Sequence, residues 1–500
     1  MPRCLLGYDL GSSSVKACLL DADSGKVVAS ASAPDEEMSI AAPQPGWAEQ
    51  HPRDWWENIL AATVKLRKAR GGGLGDVAAV GISYQMHGLV AVDAENRVLR
   101  PSIIWCDSRA VEIGNAAFEA LGEERCLEVL LNSPGNFTAS KLRWVQENEP
   151  EVFRNIAKIM LPGDYIALLM TGRAVTTPSG LSEGIMWDYR REGPAQLILD
   201  HYGIPREYLP PVVPTFSEQG KLTAGAAEEL GLPEGTPVTY RGGDQPNNAL
   251  SLNVLEPGDV AATAGTSGVV YAVGSEAQYD RLSRFNTFVH VDHTPEKPRY
   301  GNLLCLNGAA ILYSWLRQNA ATVGSEGLSY KDMDRLASAV PVGSEGLSIL
   351  PYGNGAERML ANRNPGASFH GLDFNRHKRA HVLRAAQEGV VFALKYGLDI
   401  MAEVGIFVRT VRAGAANMFQ SRIFAEAFAT ITDSSVELYN TDGSQGAARG
   451  AGIGAGIYKA ENAFRGLENI AVVEPVPGEA AAYREAYALW AGRQKESIGA

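Results

Sequence analysis

The five cysteines, Cys4, Cys18, Cys106, Cys126 and Cys305, make no CxxC pair and no Cys/His cluster at zinc spacing. That excludes a disulfide framework and a zinc module and fits reduced thiols in a cytosol. No apolar run approaches the roughly 20 residues that span a bilayer, and the N-terminal stretch is interrupted by Asp9 and Lys16. It therefore reads as a folded strand, not as a signal sequence, and a cytoplasmic setting without membrane contact is expected. Basic charge is also short: Lys and Arg number 45 against 57 Asp and Glu, for a net charge of −12. The cations are scattered, so no nucleic-acid partner is expected. A small phosphate ligand stays open, because backbone N–H groups and Mg²⁺ hold phosphate without a basic surface.

With 500 residues, 45% hydrophobic and 20% charged, the chain exceeds one ordinary core and predicts at least two domains. Leu5 to Tyr8 and Val15 to Leu20 read as strands around the turn Asp9 to Ser14. The segment Gly11-Ser12-Ser13-Ser14-Val15 returns as Gly265-Thr266-Ser267-Gly268-Val269, half a chain away and again between strands. Two similarly folded domains facing one cleft follow from that repeat. Helices are predicted over Pro52 to Arg70 (apolar Trp55, Ile59, Val64, Leu66), Lys141 to Asn148, Ala195 to Tyr202, Asn307 to Gln318, Tyr330 to Val340, Arg379 to Val404 and Met418 to Ile431. Strands are predicted near Asp76 to Ser83, Leu89 to Val92, Ile159 (ending at a Pro-Gly turn), Leu347 to Pro351, Phe407 to Arg412 and Val436 to Tyr439. This alternation is α/β.

Pro237 to Val273 reads as a strand, a sharp Gly-Gly-Asp turn, a short helix and a second strand that breaks at Gly265. A carboxylate raised at one end and a hydroxyl-bearing glycine loop at the other suit a site where a base meets a phosphate. The motifs fall in a telling order: Tyr8-Asp9-Leu10-Gly11-Ser12-Ser13-Ser14, Gly46-Trp47-Ala48-Glu49-Gln50, Gln85-Met86-His87-Gly88, Trp105-Cys106-Asp107-Ser108-Arg109, Ser140-Lys141-Leu142-Arg143-Trp144, Gly242-Gly243-Asp244-Gln245 and Gly265-Thr266-Ser267-Gly268. That series resembles the FGGY carbohydrate kinases, nearest the xylulokinase branch. The resemblance implies two actin-like (ribonuclease H-like) ATPase domains around a central cleft, here residues 1–254 and 255–500. It also implies transfer of the ATP γ-phosphate to a ketopentose, most of all D-xylulose, with ATP and Mg²⁺ as cofactors. Similar kinases are commonly homodimers.

On this resemblance Asp244 matches the general base, where the plainer reading is an Asp that only shapes its turn. Asp9 matches the carboxylate that holds Mg²⁺ or its waters; the alternative is a hairpin Asp accepting backbone N–H bonds. Gly11, Ser12, Ser13, Gly265, Thr266 and Ser267 would wrap the phosphates, and Gly414 and Asn417 would face the nucleoside. Met86 and His87 match the sugar-contacting pair, with Trp105, Asp107, Asn136 and Gln245 beside them. Equally open are a structural His87, a core Trp105 and an Asp107–Arg109 ion pair. The nucleotide stretch departs from the family pattern: Arg412 and Ala413 stand where glycines are usual, so Arg412 either meets the nucleotide or obstructs it. A sugar-binding relative without turnover, a kinase for another ketose or polyol such as ribulose, and an actin-like filament ATPase are the alternatives.

Overall fold

A computed structural model describes residues 3–320, 322, 323, 326–361 and 363–499. The first sheet is built from β1 (Cys4–Leu10), β2 (Val15–Asp21), β3 (Val27–Ala33), β4 (Val77–Tyr84), β5 (Phe216–Lys221) and β6 (Pro237–Gly243), in the order β5-β6-β4-β1-β2-β3. The second comprises β7 (Asp259–Ala264), β8 (Gly268–Gly274), β9 (Asn286–Val289), β10 (Tyr300–Leu306), β11 (Thr410–Gly414), β12 (Val436–Tyr439) and β13 (Asn469–Val473), in the order β9-β10-β8-β7-β11-β12-β13. Each sheet opens with three antiparallel strands, β1-β2-β3 and β7-β8-β10. Each then adds two parallel strands beside the first, β4 and β6 in one, β11 and β12 in the other. An antiparallel edge strand closes each, β5 and β13. Only β9 breaks the correspondence. The duplicated glycine-hydroxyl loop is thus the β1-β2 turn in one sheet and the β7-β8 turn in the other, as the repeat predicts.

Helix α1 (Pro52–Arg70) shows how the local code sets its bounds. His51 caps it by accepting from Arg53 N, Pro52 fills the first turn, and Gly71 ends it at φ 74 with its N–H on Arg67 and Lys68 carbonyls. Trp55, Ile59, Ala62, Thr63 and Leu66 form the buried face; Val64, read as part of that face, is exposed because its position lies off the stripe. Three further expectations change. Pro162 and Gly163 do not end a strand with a turn but open the helix α3 (Pro162–Thr171), since proline lacks only an N–H that a first turn leaves unbonded. Gly242 and Gly243 stay in β6, and Asp244 begins α5 (Asp244–Ser251) with no turn between them. Met418 to Ile431 divides into a 3-10 turn, Asn417–Gln420, and a helix, Arg422–Thr432.

The remaining helices needed here are α2 (Thr138–Asn148), α4 (Pro178–Glu183), α6 (Ala310–Asn319), α7 (Arg379–Glu403) and α8 (Gly443–Gly454). Helix α7 runs through the main core of the second half, where Val390, Val391 and Leu394 pack with Val260, Val270 and Leu304. Helix α5 lies between the two sheets, with Leu250 against Tyr240 of the first. Ala249 and Leu252, on and just after α5, join a cluster with Ala261, Val269 and Tyr271 of the second sheet. Helix α8, which follows β12, packs on the first sheet instead, with Ala448 and Ala451 beside Leu5, Cys18 and Ala79. This approach is close enough to explain its small-residue composition: a Cβ on Gly7 would stand 2.0 Å from Ser444 O, and one on Gly81 2.0 Å from Ala447 O. No side chain fits between them.

Candidate active site

The two glycine-hydroxyl loops are held by different neighbours. In the first, Gly11 N donates to Ser14 O at 3.0 Å, Met38 N to Ser13 O at 2.8 Å, and Gln50 Nε2 to Ser12 O at 2.7 Å. In the second, Gly265 O accepts from Ala310 N, at the start of α6, at 2.8 Å, while Thr266 is exposed and Ser267 half-buried. Asn417 is brought to this loop: it sits at φ 52, and its Nδ2 is 3.2 Å from where a Cβ on Gly265 would stand. Gly414 ends β11 and faces Thr441 O, 3.7 Å from its would-be Cβ. Arg412 is engaged by protein partners. Its guanidinium donates to Glu437 Oε2 at 2.9 Å, to Asp259 Oδ2 at 3.2 Å and to the Asn253 carbonyl, so the departure from glycine is absorbed by an ion-pair network.

Asp9 lies near the end of β1, level with Lys16 on β2 and Ser83 on β4. Ser83 Oγ donates to its Oδ1 at 2.7 Å. Burial pushes the carboxyl up and Asp442 adds to that, against the opposing pull of Ser83 and Lys16. Asp442 is the N-cap of α8, accepting from Gln445 N. Asp244 opens α5 where β6 ends, half-buried. Loss of hydration and then the Asp9 charge lift its carboxyl to about 7, although Gln245 Nε2 donates to Oδ2 at 3.3 Å. A carboxylate of that affinity is matched to taking a proton near neutral pH.

Met86 and His87 close the other side. Met86 is buried, its Cγ 2.6 Å from where a Cβ on Gly243 would stand. His87 packs against Phe137 (4.7 Å between centroids) and Phe288 (5.5 Å), which come from the two halves of the chain. Trp105 is 41% exposed and reaches Ser12 Oγ with its Nε1 at 3.4 Å, so it is not core. Asn136 donates to the Asp107 carbonyl and leaves its own Oδ1 buried and unbonded. Asp107, read as a sugar contact, instead spends both carboxylate oxygens on Ala48 N and on Arg109, with 0% exposure. Arg109 in turn forms an ion pair with Glu49 Oε1 at 2.7 Å and lies over Trp47 (3.8 Å) and Trp144 (4.7 Å). Three sequence motifs therefore meet as the scaffold under Trp105, and the ion pair is the geometry Asp107 adopts.

Sequence reasoning gave no site role to Ser83, Gln50, Lys141 or Glu183. Gln50 Oε1 accepts from Gln85 Nε2 at 3.0 Å while its amide holds Ser12, which joins the first loop to the residue before Met86. Glu183, at the end of α4, is 2% exposed; neither carboxyl oxygen has a hydrogen-bond partner, and Oε2 is 2.8 Å from the Cβ position of Gly243. Within the motifs only Lys141 carried a signal, as a cation in a buried helical pattern; the others needed the fold. Among the described residues no group of three or more His, Cys, Asp or Glu is arranged to hold a metal. No helix among them is long and apolar enough to cross a membrane.

Two duplicated actin-like domains around a cleft are the fold of an ATP-dependent sugar phosphotransferase. Residues 4–251 match the N-terminal domain and residues 260–457 the C-terminal domain of the FGGY family of carbohydrate kinases, and the chain belongs to that family. The xylulose kinase of Escherichia coli (strain K12) is 32% identical over 452 residues, 89% of this chain and 88% of that one. The crystal structure of xylulose kinase from Rhodospirillum rubrum superposes with a TM-score of 0.86 at 27% identity over 99% of both chains. A gluconate kinase from Lactobacillus acidophilus shares the fold at TM-score 0.90 and 22% identity, over 100% of this chain and 99% of that one.

Proposed function

We propose that the chain phosphorylates a ketopentose, D-xylulose to D-xylulose 5-phosphate, with Asp244 as general base. The observation that carries this is the Asp244 carboxyl, lifted to about 7 at the head of α5, beside Asp9 and level with the Met86–Gly243 contact. The carboxylate accepts the proton of the terminal hydroxyl as that oxygen bonds to the γ-phosphorus; the bond from phosphorus to the bridging oxygen breaks and ADP leaves. Positioning and charge stabilisation supply most of the rate. On this reading Met86, His87, Trp105, Asn136 and Gln245 face the sugar. Gly11, Ser12 and Ser13 oppose Gly265, Thr266 and Ser267 across the phosphates, and Gly414 and Asn417 line the nucleoside end.

The residues around Asp9 fit a hard divalent cation: one carboxylate with an oxygen not taken by Ser83, and a second acid, Asp442, close enough to add negative potential, while among the described residues no three acids, His or Cys are arranged as a protein-only cage. Asp9 would hold Mg²⁺ together with phosphate oxygens and water, and the ion would neutralise charge on the transferring phosphoryl group. Residues 1–254 and 255–500 would then be the bodies that close over the substrates, excluding water that competes with the sugar. A cytoplasmic setting, where ATP is supplied, goes with this reading.

ADP release measured across a ketose and polyol panel tests it. Sugar-dependent ADP greatest with D-xylulose supports the proposal. Greatest release with ribulose or another polyol moves the substrate, and binding without ADP favours a sugar-binding relative that has lost turnover.

A further inference from the structure

The sugar wall hangs on two loops distant in sequence, the one after β4 that carries Met86 and His87, and the one that carries Trp105. Lys141, on α2, places its Nζ 2.9 Å from His87 O and 2.9 Å from Ile104 O, the carbonyl directly before Trp105. Its side chain is 0% exposed, and no carboxylate lies in hydrogen-bond or ion-pair range of it among the described residues. Burial pulls the ammonium down to about 7, with Asp107 opposing. A cation so placed is an expensive way to fill a core, and an apolar side chain of the same length would serve packing better. What it does that an apolar group cannot is bond two carbonyls at once.

His87 needs such a restraint. It holds φ 61, the left-handed region, which costs a non-glycine residue about 1 kcal/mol or more. Its ring Nδ1 is 2.9 Å from Glu183 O. A carbonyl only accepts, so Nδ1 carries the proton. Burial and the Lys141 charge push the ring down to about 3, so it is neutral and Nε2 is an acceptor.

We propose that Lys141 is a positioning residue for the sugar site: by bonding His87 O and Ile104 O it fixes the Met86–His87 and Trp105 loops as one wall, leaving His87 Nε2 to accept from a substrate hydroxyl. The inference rests on the reading of that wall as the sugar side, and it assigns the hydroxyl next to His87 the role of donor.

The test is a double-mutant cycle of wild type, Lys141→Met, His87→Ala and the pair, read by sugar KM, MgATP KM and calorimetric sugar binding. Lys141→Met should raise the sugar KM about tenfold or more, equal to about 1.4 kcal/mol, and leave the MgATP KM within about twofold. The pair should fall short of the product of the two single effects, because part of the lysine's effect passes through the histidine and the rest through the Trp105 loop. Additive effects, or a loss of kcat with both KM values unchanged, would overturn the proposal. Should Lys141→Met not fold, Lys141→Leu removes the donors with a smaller apolar side chain, and the same cycle is run with it. Calorimetry decides the cycle even in a chain that binds sugar without turnover, so failure of the kinase reading and failure of this one are seen separately.

Discussion

A Cβ added to Gly443 would come within 2.4 Å of Asp9 Oδ2, so the first turn of α8 lies directly on the carboxylate that ends β1. The helix comes from one half of the chain and the strand from the other, and their contact is set by a residue without a side chain. Gly443→Ala should therefore displace Asp9 or push the two halves apart. The expected result is an MgATP KM raised by about tenfold or more with the sugar KM held, since Asp9 is assigned to the nucleotide side. Asp9→Asn should lower kcat as well, because it removes the charge that would hold Mg²⁺. Steady-state kinetics with each substrate varied in turn checks both; a Gly443→Ala enzyme with wild-type constants would refute the contact's importance.

Asp244→Ala should lower turnover by about 10²–10⁴, the usual range for losing a general base, while calorimetry still detects sugar binding. The wild-type rate should rise with pH through about 7, where the carboxyl loses its proton. Stability runs the other way for this group. Its folded pKa is raised above the ordinary carboxylate value of 3.8, so the folded state holds the proton more tightly. That contribution is full below about 4 and is lost as pH climbs to about 7. Asp244→Asn should remove that decline, giving a flatter pH profile in urea melts. A mutant with near wild-type turnover would end the base assignment.

The approach of α8 to the first sheet makes a separate, purely structural prediction. Gly81→Val would drive a side chain into Ala447 O, which has no room to move because the backbone of α8 is itself bonded to Thr239 through Ala451 O at 2.8 Å. We expect a loss of about 1–3 kcal/mol, the usual range for overpacking, at its upper end because the obstacle is backbone. Chemical denaturation followed by tryptophan fluorescence measures it, and an unchanged midpoint would contradict the observed packing.

What the sequence disclosed follows from how local each signal is. The glycine-hydroxyl repeat and the helix from Pro52 to Arg70 were legible because caps, prolines and short-range periodicity specify them. The crossing of α8 onto the first sheet was not legible, since Gly7 and Gly81 are ordinary strand residues until α8 lies on them. Asp107 shows the converse limit: the Trp105-to-Arg109 motif gives its residue types, but that both its oxygens turn to Ala48 N and Arg109 depends on loops that meet only in three dimensions. Arg412 likewise looked like an intruder at the nucleotide end because its partners, Asp259 and Glu437, are far off in sequence. Nothing local could have pointed to Ser83 or Glu183, whose neighbours in the site all come from other strands and helices.

Glu183 supplies the last prediction. Its carboxyl is enclosed beside Tyr84, with Asp164 and Asp244 near enough to raise its pKa further, and burial is the first cause of that rise. Neither oxygen meets a donor in full hydrogen-bond geometry, and the Tyr84 hydroxyl and the His87 backbone N–H only partly offset the burial, so the folded state keeps the proton. Below the ordinary glutamate value the group costs the fold little. As pH rises past that value the unfolded chain releases its proton while the folded chain does not, and stability falls until the folded pKa is reached. Glu183→Gln keeps the shape without the charge, so it should be more stable than wild type at neutral pH and no different at pH 4. Urea melts at the two pH values decide the matter: equal stability at neutral pH would mean that the carboxyl is ionised and paired in solution.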